Sequence, residues 1–393
     1  MLSLNRNQAS KKILITGSAS LEEMLRKGNV WYIRRYEEYF DRVYVAYVFG
    51  RPHEPVVNGN TILVSLAGRR GGRINILLAP YRIYRFARRI RPTVYLNSDL
   101  VYSWWTCGLA KALLRARVCL LPVCIPEELY AATGRSMSGL PIWLERVFTR
   151  LSFSSAHKIL AGRNDGYFTH WLASHPWAEK KLVVVDTVVD AISTDRFFET
   201  LQAMREDTPR RTCPDDGFVL VFVGRLHKEK LVDHLVRMMA TLKKWDRTSR
   251  LPALRLIGDG GEKQRLKRLA SQLGVEASIE FVGSVPNEDL PKHLLRAKAF
   301  VSTLTGSSLR EAALCGLPIV AYNADWIRGL LKHEQTAMLA PFGDFEGLAR
   351  CVLRLMNDEE LRERLSQNIR KLAWELWSPQ AVAASLRQAY EDF

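Results

Sequence analysis

Arg225 and Lys230, in the stretch FVGRLHKEKLVDHL (residues 222–235), follow an apolar run that ends at Gly224. A forked guanidinium and an ammonium converging on one loop can hold a diphosphate and stabilise the charge that builds on it as it leaves. With 57 Lys and Arg in the chain, two near one loop are also expected by chance. A second stretch, TGSSLREAALCGLP (residues 305–318), sets one carboxylate, Glu311, inside a short helical pattern introduced by Gly306, Ser307 and Ser308. Free N–H groups and the positive end of a helix dipole favour a phosphate there. Ser308-x-x-Glu311 equally fits a capping box, with Ser307 or Ser308 as N-cap, in which Glu311 folds back onto the helix start. Residue chemistry alone leaves both roles of Glu311 open.

Other loops offer less specific chemistry. IGDGGEKQRLKRLA carries Gly258, Gly260 and Gly261 but has neither dinucleotide-fingerprint nor Walker spacing, and a tight turn before a helix accounts for it. FVGSVPNEDL has Gly283, Ser284 and Val285 at a strand end, where a planar base can lie on exposed backbone. In the first half, Glu127 and Glu128 of LPVCIPEELY can orient or deprotonate an acceptor hydroxyl, or serve simply as first-turn acids after Pro126. Arg163 of LAGRNDG ends another strand, and Trp104 and Trp105 suit either sugar stacking or a core.

The elements that must position these residues alternate strand and helix. Apolar or β-branched runs at 11–16, 42–47, 61–65, 93–96, 118–123, 158–160 and 182–185 are interspersed with helical patterns at 29–40, 81–90 and 140–151. A second series starts at Gly217 with FVLVFVG, ALRLIGDG, SIEFVGSV, KAFVSTL and PIVAYN. Such alternation predicts an α/β protein of two doubly wound parallel-sheet domains, with ligands beyond the carboxyl ends of the strands. The expected boundaries are 1–197 for the first domain, 198–216 for a polar linker with two prolines, and 217–378 for the second. Residues 379–393 form a terminal amphipathic helix able to pack back on the first domain.

The net charge of +16 is uneven: residues 1–195 hold 27 Lys and Arg against 15 Asp and Glu. That half is expected to meet an anionic partner, such as a membrane surface or a phospholipid-linked substrate. From Tyr81 on, Ile83, Phe86, Ala87 and Ile90 form one helical stripe among five arginines, a pattern that suits either anionic lipid or a solvated face on a core-packed helix. No zinc-finger or RNP-like pattern points to nucleic acid. The six scattered cysteines argue for reduced thiols in a cytoplasmic setting and against a metal site, and the basic first half for a place on the inner membrane face. The polar opening residues do not read as a signal peptide, and no apolar run reaches the ~18 residues of a membrane span.

FVGRLHKEK, LRLIGDGGEKQRLKRLASQLGV, IEFVGSVP, LLRAKAFVS and LREAALCGLPIVAY occur in the order and at about the distances found in family 4 glycosyltransferases of GT-B fold. The likeness covers roughly residues 183–378, and the first half is similar only in pattern. It implies a nucleoside-diphosphate sugar held by the second domain and a saccharide or lipid-linked acceptor held by the first. Arg225 and Lys230 fall on the family's diphosphate pair, and Glu311 on the second glutamate of its Glu-x7-Glu motif, which takes the ribose hydroxyls. The donor side is expected to include Gly224, Gly283, Ser284, Val285, Gly306, Ser307, Ser308 and Leu309; on the acceptor side the resemblance adds Gly17 and Ser18 to Glu127, Glu128 and Arg163, which are read from their strand ends. Where the family has its first glutamate, facing the donor sugar, this chain has Thr303; its Gly-Gly-x-Pro-Glu loop becomes YNADW, with Asp325 and Trp326 as candidates for that face. The resemblance implies retention at the anomeric carbon; no Asp-x-Asp occurs, so no metal–diphosphate clamp of that type is expected, and neither metal nor cofactor is implied. The rivals are a catalytically inactive nucleotide-sugar-binding scaffold and another GT-B activity such as an epimerase.

Overall fold

The structure is a computed structural model that describes residues 10–27, 35–68, 73–97, 104–121, 141–161, 172, 175–184, 195–206, 217–245, 251–304, 306–324 and 327–391. The chain divides into two units, Met1–Asp190 with Ala383–Phe393, and Ala191–Val382.

The first unit is built on β1 (Lys12–Ser20), β2 (Arg42–Phe49), β3 (Val56–Asn58), β4 (Thr61–Ser65), β5 (Val94–Asn97), β6 (Arg117–Leu120), β7 (Lys158–Ala161) and β8 (Leu182–Val184). They form one sheet in the order β3-β4-β2-β1-β5-β6-β7-β8. Every described pairing is parallel except β3 with β4, a hairpin turned at Asn58-Gly59-Asn60. Its helices are α1 (Leu21–Lys27), α2 (Arg73–Ile90), α3 (Trp104–Leu113) and α4 (Ile142–Ser155). Of the helical pattern at 29–40, the described part, Arg35–Glu38, is a single 3₁₀ turn. Ala79, Ile83 and Ala87 of α2, Cys107 and Ala110 of α3, and Phe153 of α4 share one buried cluster with Leu14, Ala46 and Tyr95 of the sheet. The apolar stripe read from Tyr81 onward is therefore core: Ile83 and Ala87 are buried, and lipid cannot reach them.

The second unit comprises α5 (Asp195–Glu206), β9 (Val219–Val223), α6 (Val232–Trp245), β10 (Ala253–Ile257), α7 (Lys263–Gln272), β11 (Ile279–Gly283), α8 (Leu290–Leu294), β12 (Ala299–Ser302), α9 (Ser307–Leu314), β13 (Ile319–Tyr322), β14 (Met338–Ala340), α10 (Phe345–Asn357) and α11 (Glu359–Trp377). Its sheet is parallel throughout, in the order β11-β10-β9-β12-β13-β14. Helix starts are set locally: Asp344 and Asp358 accept the N–H groups of Gly347 and Leu361 as N-caps of α10 and α11, at 2.7 and 2.8 Å.

The linker expected over 198–216 needs correction. Residues up to Glu206 are helical in α5, and Phe197 and Leu201 are buried in the core of the second unit. The polar residues of that stretch hid an amphipathic helix; residues 207–216 lie outside the described set. The last helix, α12 (Pro379–Tyr390), ends in the first unit. Tyr390 sits edge-on to Tyr36 and Phe40 at 5.7 and 5.5 Å, and the Tyr39 hydroxyl donates to the Ala383 carbonyl at 2.8 Å.

Candidate functional site

In the second unit, strand order reverses between β9 and β12, which pair directly. The loops that follow those two strands must diverge there, one toward β10 and the other toward β13, leaving a crevice at the carboxyl edge. Gly224 to Leu231 and Thr303 to Gly306 are those loops.

The loop after β9 is held from below by glycines. Gly224 donates its N–H to Ile257 and Leu226 donates to Asp259, at 2.9 and 3.0 Å. A Cβ on Gly258 would stand 2.0 Å from the Gly224 carbonyl oxygen, and one on Gly260 would stand 2.4 Å from that of Leu226. Gly258 also takes φ +134°, which side chains rarely adopt. The glycine turn thus has a second task beyond starting α7: it lets two backbones touch under the Arg225 loop. Gly258→Ala should lower stability by roughly 1–3 kcal/mol in thermal melts, through strain and overpacking. Gly261→Ala, with nothing within 4 Å of its Cβ, should stay within about 0.5 kcal/mol of the parent.

The loop then closes in a 3₁₀ turn, Lys228–Lys230, and Leu231 enters the left-handed region at φ +48° before α6 begins. Thr303, at 2% exposure just past β12, donates its hydroxyl proton to the Lys230 carbonyl at 2.5 Å. Gly306 is the N-cap of α9, and the Lys230 Nζ lies 3.9 Å from where its Cβ would stand. An ammonium is therefore held against the positive end of a helix. A full positive charge thus lies beside the partial positive charge of the helix end, and an anion there would be attracted by both.

Thr303 thus acts on Lys230 through the backbone, whatever else its oxygen accepts. Thr303→Val removes the donor and should weaken anion binding about 5- to 10-fold, whereas Thr303→Ser should keep the bond and stay close to the parent. In a Lys230→Ala background the Val substitution should have little further effect, because the two residues work as one unit.

Glu311 does not cap the helix. The N-cap is Gly306, with no side-chain cap bond, and Ser308 sits inside the first turn and donates its hydroxyl to the Val223 carbonyl at 2.7 Å. The capping-box reading, with Ser307 or Ser308 as N-cap, is thereby overturned. Glu311 is 5% exposed, one turn into α9, and accepts a 2.6 Å hydrogen bond at Oε1 from the Asn287 amide. Burial pulls the neighbouring Arg310 guanidinium down to about 10, while the Glu311 charge opposes the shift, so Arg310 is still a cation at neutral pH. Its guanidinium carbon lies 5.7 Å from the Trp377 ring centre.

The remaining expected residues divide. Gly283 closes β11 at φ +90° and accepts the Gly258 N–H at 2.7 Å; Ser284 beyond it is exposed, and Val285 packs partly against the core. Arg225 is exposed, 3.9 Å from Glu229. Leu309 is a correction: its side chain is wholly buried in the core and its N–H bonds the Gly306 carbonyl at 3.2 Å, so it positions α9 and offers no group to a ligand. Gly17 and Ser18 lie on the last part of β1. Glu127, Glu128, Arg163, Asp325 and Trp326 lie outside the described residues. Asn287 is the residue that sequence reasoning missed; its signal was a polar side chain following Pro286 at a strand exit.

Residues 204–372 match the family model "Glycosyl transferases group 1". The lipopolysaccharide core biosynthesis glycosyltransferase LpsD of Rhizobium meliloti is 33% identical over 157 residues, 39% of this chain and 43% of that one. The chain spans about half the length of the curated relatives it matches. The fold extends over nearly the whole chain. Sucrose-phosphate synthase from Thermosynechococcus elongatus superposes with a TM-score of 0.73 at 16% identity, over 97% of this chain and 98% of that one. HepE from Anabaena, solved in complex with UDP and glucose, gives 0.70 at 15% identity, over 98% and 100%.

Proposed function

We propose that this chain, GT-B in fold and carrying a glycosyl transferases group 1 domain over residues 204–372, transfers a sugar from a nucleoside-diphosphate sugar to an acceptor. The observation that carries this reading is the Lys230 ammonium held at the N-terminus of α9, with the buried Glu311 carboxylate one turn further along. A diphosphate placed between cation and helix end would be stabilised most when the sugar bond breaks and its charge rises. Arg225, on the exposed rim of the same loop, is the second cation for that charge. Glu311 would accept the ribose hydroxyls, as a carboxylate with two acceptor oxygens can.

In this reading leaving-group charge is met by Arg225, Lys230 and the helix N-terminus without a metal, and the sugar retains its anomeric configuration. The acceptor is a saccharide or lipid-linked saccharide at the cytoplasmic face of a membrane. The role of LpsD in lipopolysaccharide core biosynthesis supports a saccharide acceptor, and the UDP bound by HepE supports a nucleoside-diphosphate donor. Incubating the pure protein with nucleotide sugars and a glycolipid or polysaccharide extract should release nucleoside diphosphate, with or without chelator, and place the sugar on the acceptor in the donor's anomeric form. Thr303 in place of the family's first glutamate favours one alternative, a nucleotide-sugar-binding protein without turnover. Tight donor binding with no nucleotide released on any acceptor would establish that alternative instead.

A further inference from the structure

Helix α4 is turned inside out. Its polar residues Glu145, Thr149 and Ser152 are buried, while Trp143, Val147 and Leu151, spaced four apart, are 62%, 44% and 39% exposed. A helix on a globular surface ordinarily shows the reverse. Single exposed apolar residues need no explanation, but three in one stripe about 12 Å long make a patch that a soluble surface rarely keeps without a use.

The patch continues across the layer. Helix α3 packs between α2 and α4 on one side of the first unit's sheet. It exposes Leu113, and α2 exposes Leu78 and Tyr81. Interspersed with these apolar groups are exposed cations: Arg85, Arg88 and Arg89 on α2, Lys111 on α3, and Arg146 and Arg150 on α4. Across the three helices the one acidic residue is Glu145, and it is buried. Among the described residues of these three helices, the exposed side chains are thus cationic, polar or apolar and none is acidic.

We propose that this face docks on an anionic lipid bilayer, with Trp143, Val147 and Leu151 entering the headgroup–acyl boundary and the cations of α2, α3 and α4 meeting lipid phosphates. A bilayer of anionic lipid takes both halves of the pattern at once, and Trp suits its interface. A second copy of this chain fits less well, because the described helices would set exposed cations against exposed cations. Nucleic acid would leave Val147 and Leu151 without a stacking partner. The surface belongs to the first unit and Lys230 to the second, and the test needs no nucleotide, so its outcome is independent of the transferase reading.

The test is sedimentation of the full chain with vesicles of phosphatidylcholine alone and with about a third phosphatidylglycerol. Binding should require the anionic lipid and weaken with salt. Trp143→Ser with Leu151→Ser should lower the partition coefficient roughly 10- to 50-fold, from the apolar area no longer buried. Arg150→Gln should lower it by about fivefold. Trp245→Ser, an exposed tryptophan of the second unit, should leave it unchanged. Lipids brominated near the headgroup should quench a component of the fluorescence that Trp143→Phe abolishes. The proposal is overturned if the Trp143/Leu151 variant, melting as the parent does, binds vesicles equally well. It is also overturned if the lipid-free chain is a dimer that this variant converts to monomer, or if binding does not depend on lipid charge.

Discussion

Lys230→Ala should cost roughly 10²- to 10³-fold in kcat with a much smaller change in KM for the donor, the effect of removing one preorganised group aimed at developing charge. The split follows from position. In the ground state the diphosphate carries its charge spread over the sugar ester, and the ammonium beside α9 contributes modestly. In the proposed transfer, as the glycosidic bond to phosphate lengthens, charge would accumulate at the oxygen nearest the cation and helix end, and the attraction would rise with it. Thr303 keeps Lys230 in register by holding its carbonyl, and the ammonium lies 3.9 Å from where a Gly306 Cβ would stand. Lys230→Arg should restore only part of the rate, since a planar fork cannot occupy the place of a compact ammonium. Equal losses in kcat/KM from a raised KM alone would place Lys230 in ground-state binding and remove it from the chemical step.

Glu311→Ala should weaken nucleoside-diphosphate binding by about 2–4 kcal/mol, or roughly 30- to 1,000-fold, because it removes two hydrogen bonds to a charged acceptor and leaves the Asn287 amide without its partner. Glu311→Gln is the sharper variant. It retains the shape and an oxygen for Asn287 but loses the charge, so affinity should fall about 10- to 100-fold while the melting temperature stays close to that of the parent. The ribose role has its own signature. A 2′- or 3′-deoxy nucleotide should bind the parent less tightly than the ribonucleotide, and the Glu311→Ala variant should no longer tell the two apart. If the variant still discriminates, the hydroxyls are held by another residue.

The parallel sheets were legible because their strands are short β-branched runs at regular spacing, and Val219–Val223, Ala253–Ile257 and Ile319–Tyr322 stand where that pattern puts them. The site residues were legible only in part. Arg225, Lys230 and Glu311 carry chemistry that a sequence displays, and local spacing offered Glu311 a cap that the fold withholds by starting α9 at Gly306. The bonds from Thr303 to Lys230 and from Asn287 to Glu311 join residues 73 and 24 positions apart, and no local periodicity encodes such pairs. The glycine turn hid its task for the same reason, since what Gly258 must avoid is a carbonyl on a different strand. Helix α4 misleads a periodicity reading in a different way: its pattern is regular, but periodicity says that two faces differ and not which one turns inward. The α5 helix was obscured by its polar composition until Phe197 and Leu201 were seen in the core.

The central claim, that the loops after β9 and β12 hold a nucleoside diphosphate, is tested most directly by calorimetric titration of the full chain with UDP, GDP and ADP, beside Glu311→Gln. The account predicts that one of the three binds and that Glu311→Gln weakens it at least tenfold with folding intact. It is contradicted if none of them binds, or if the Gln variant binds as tightly as the parent.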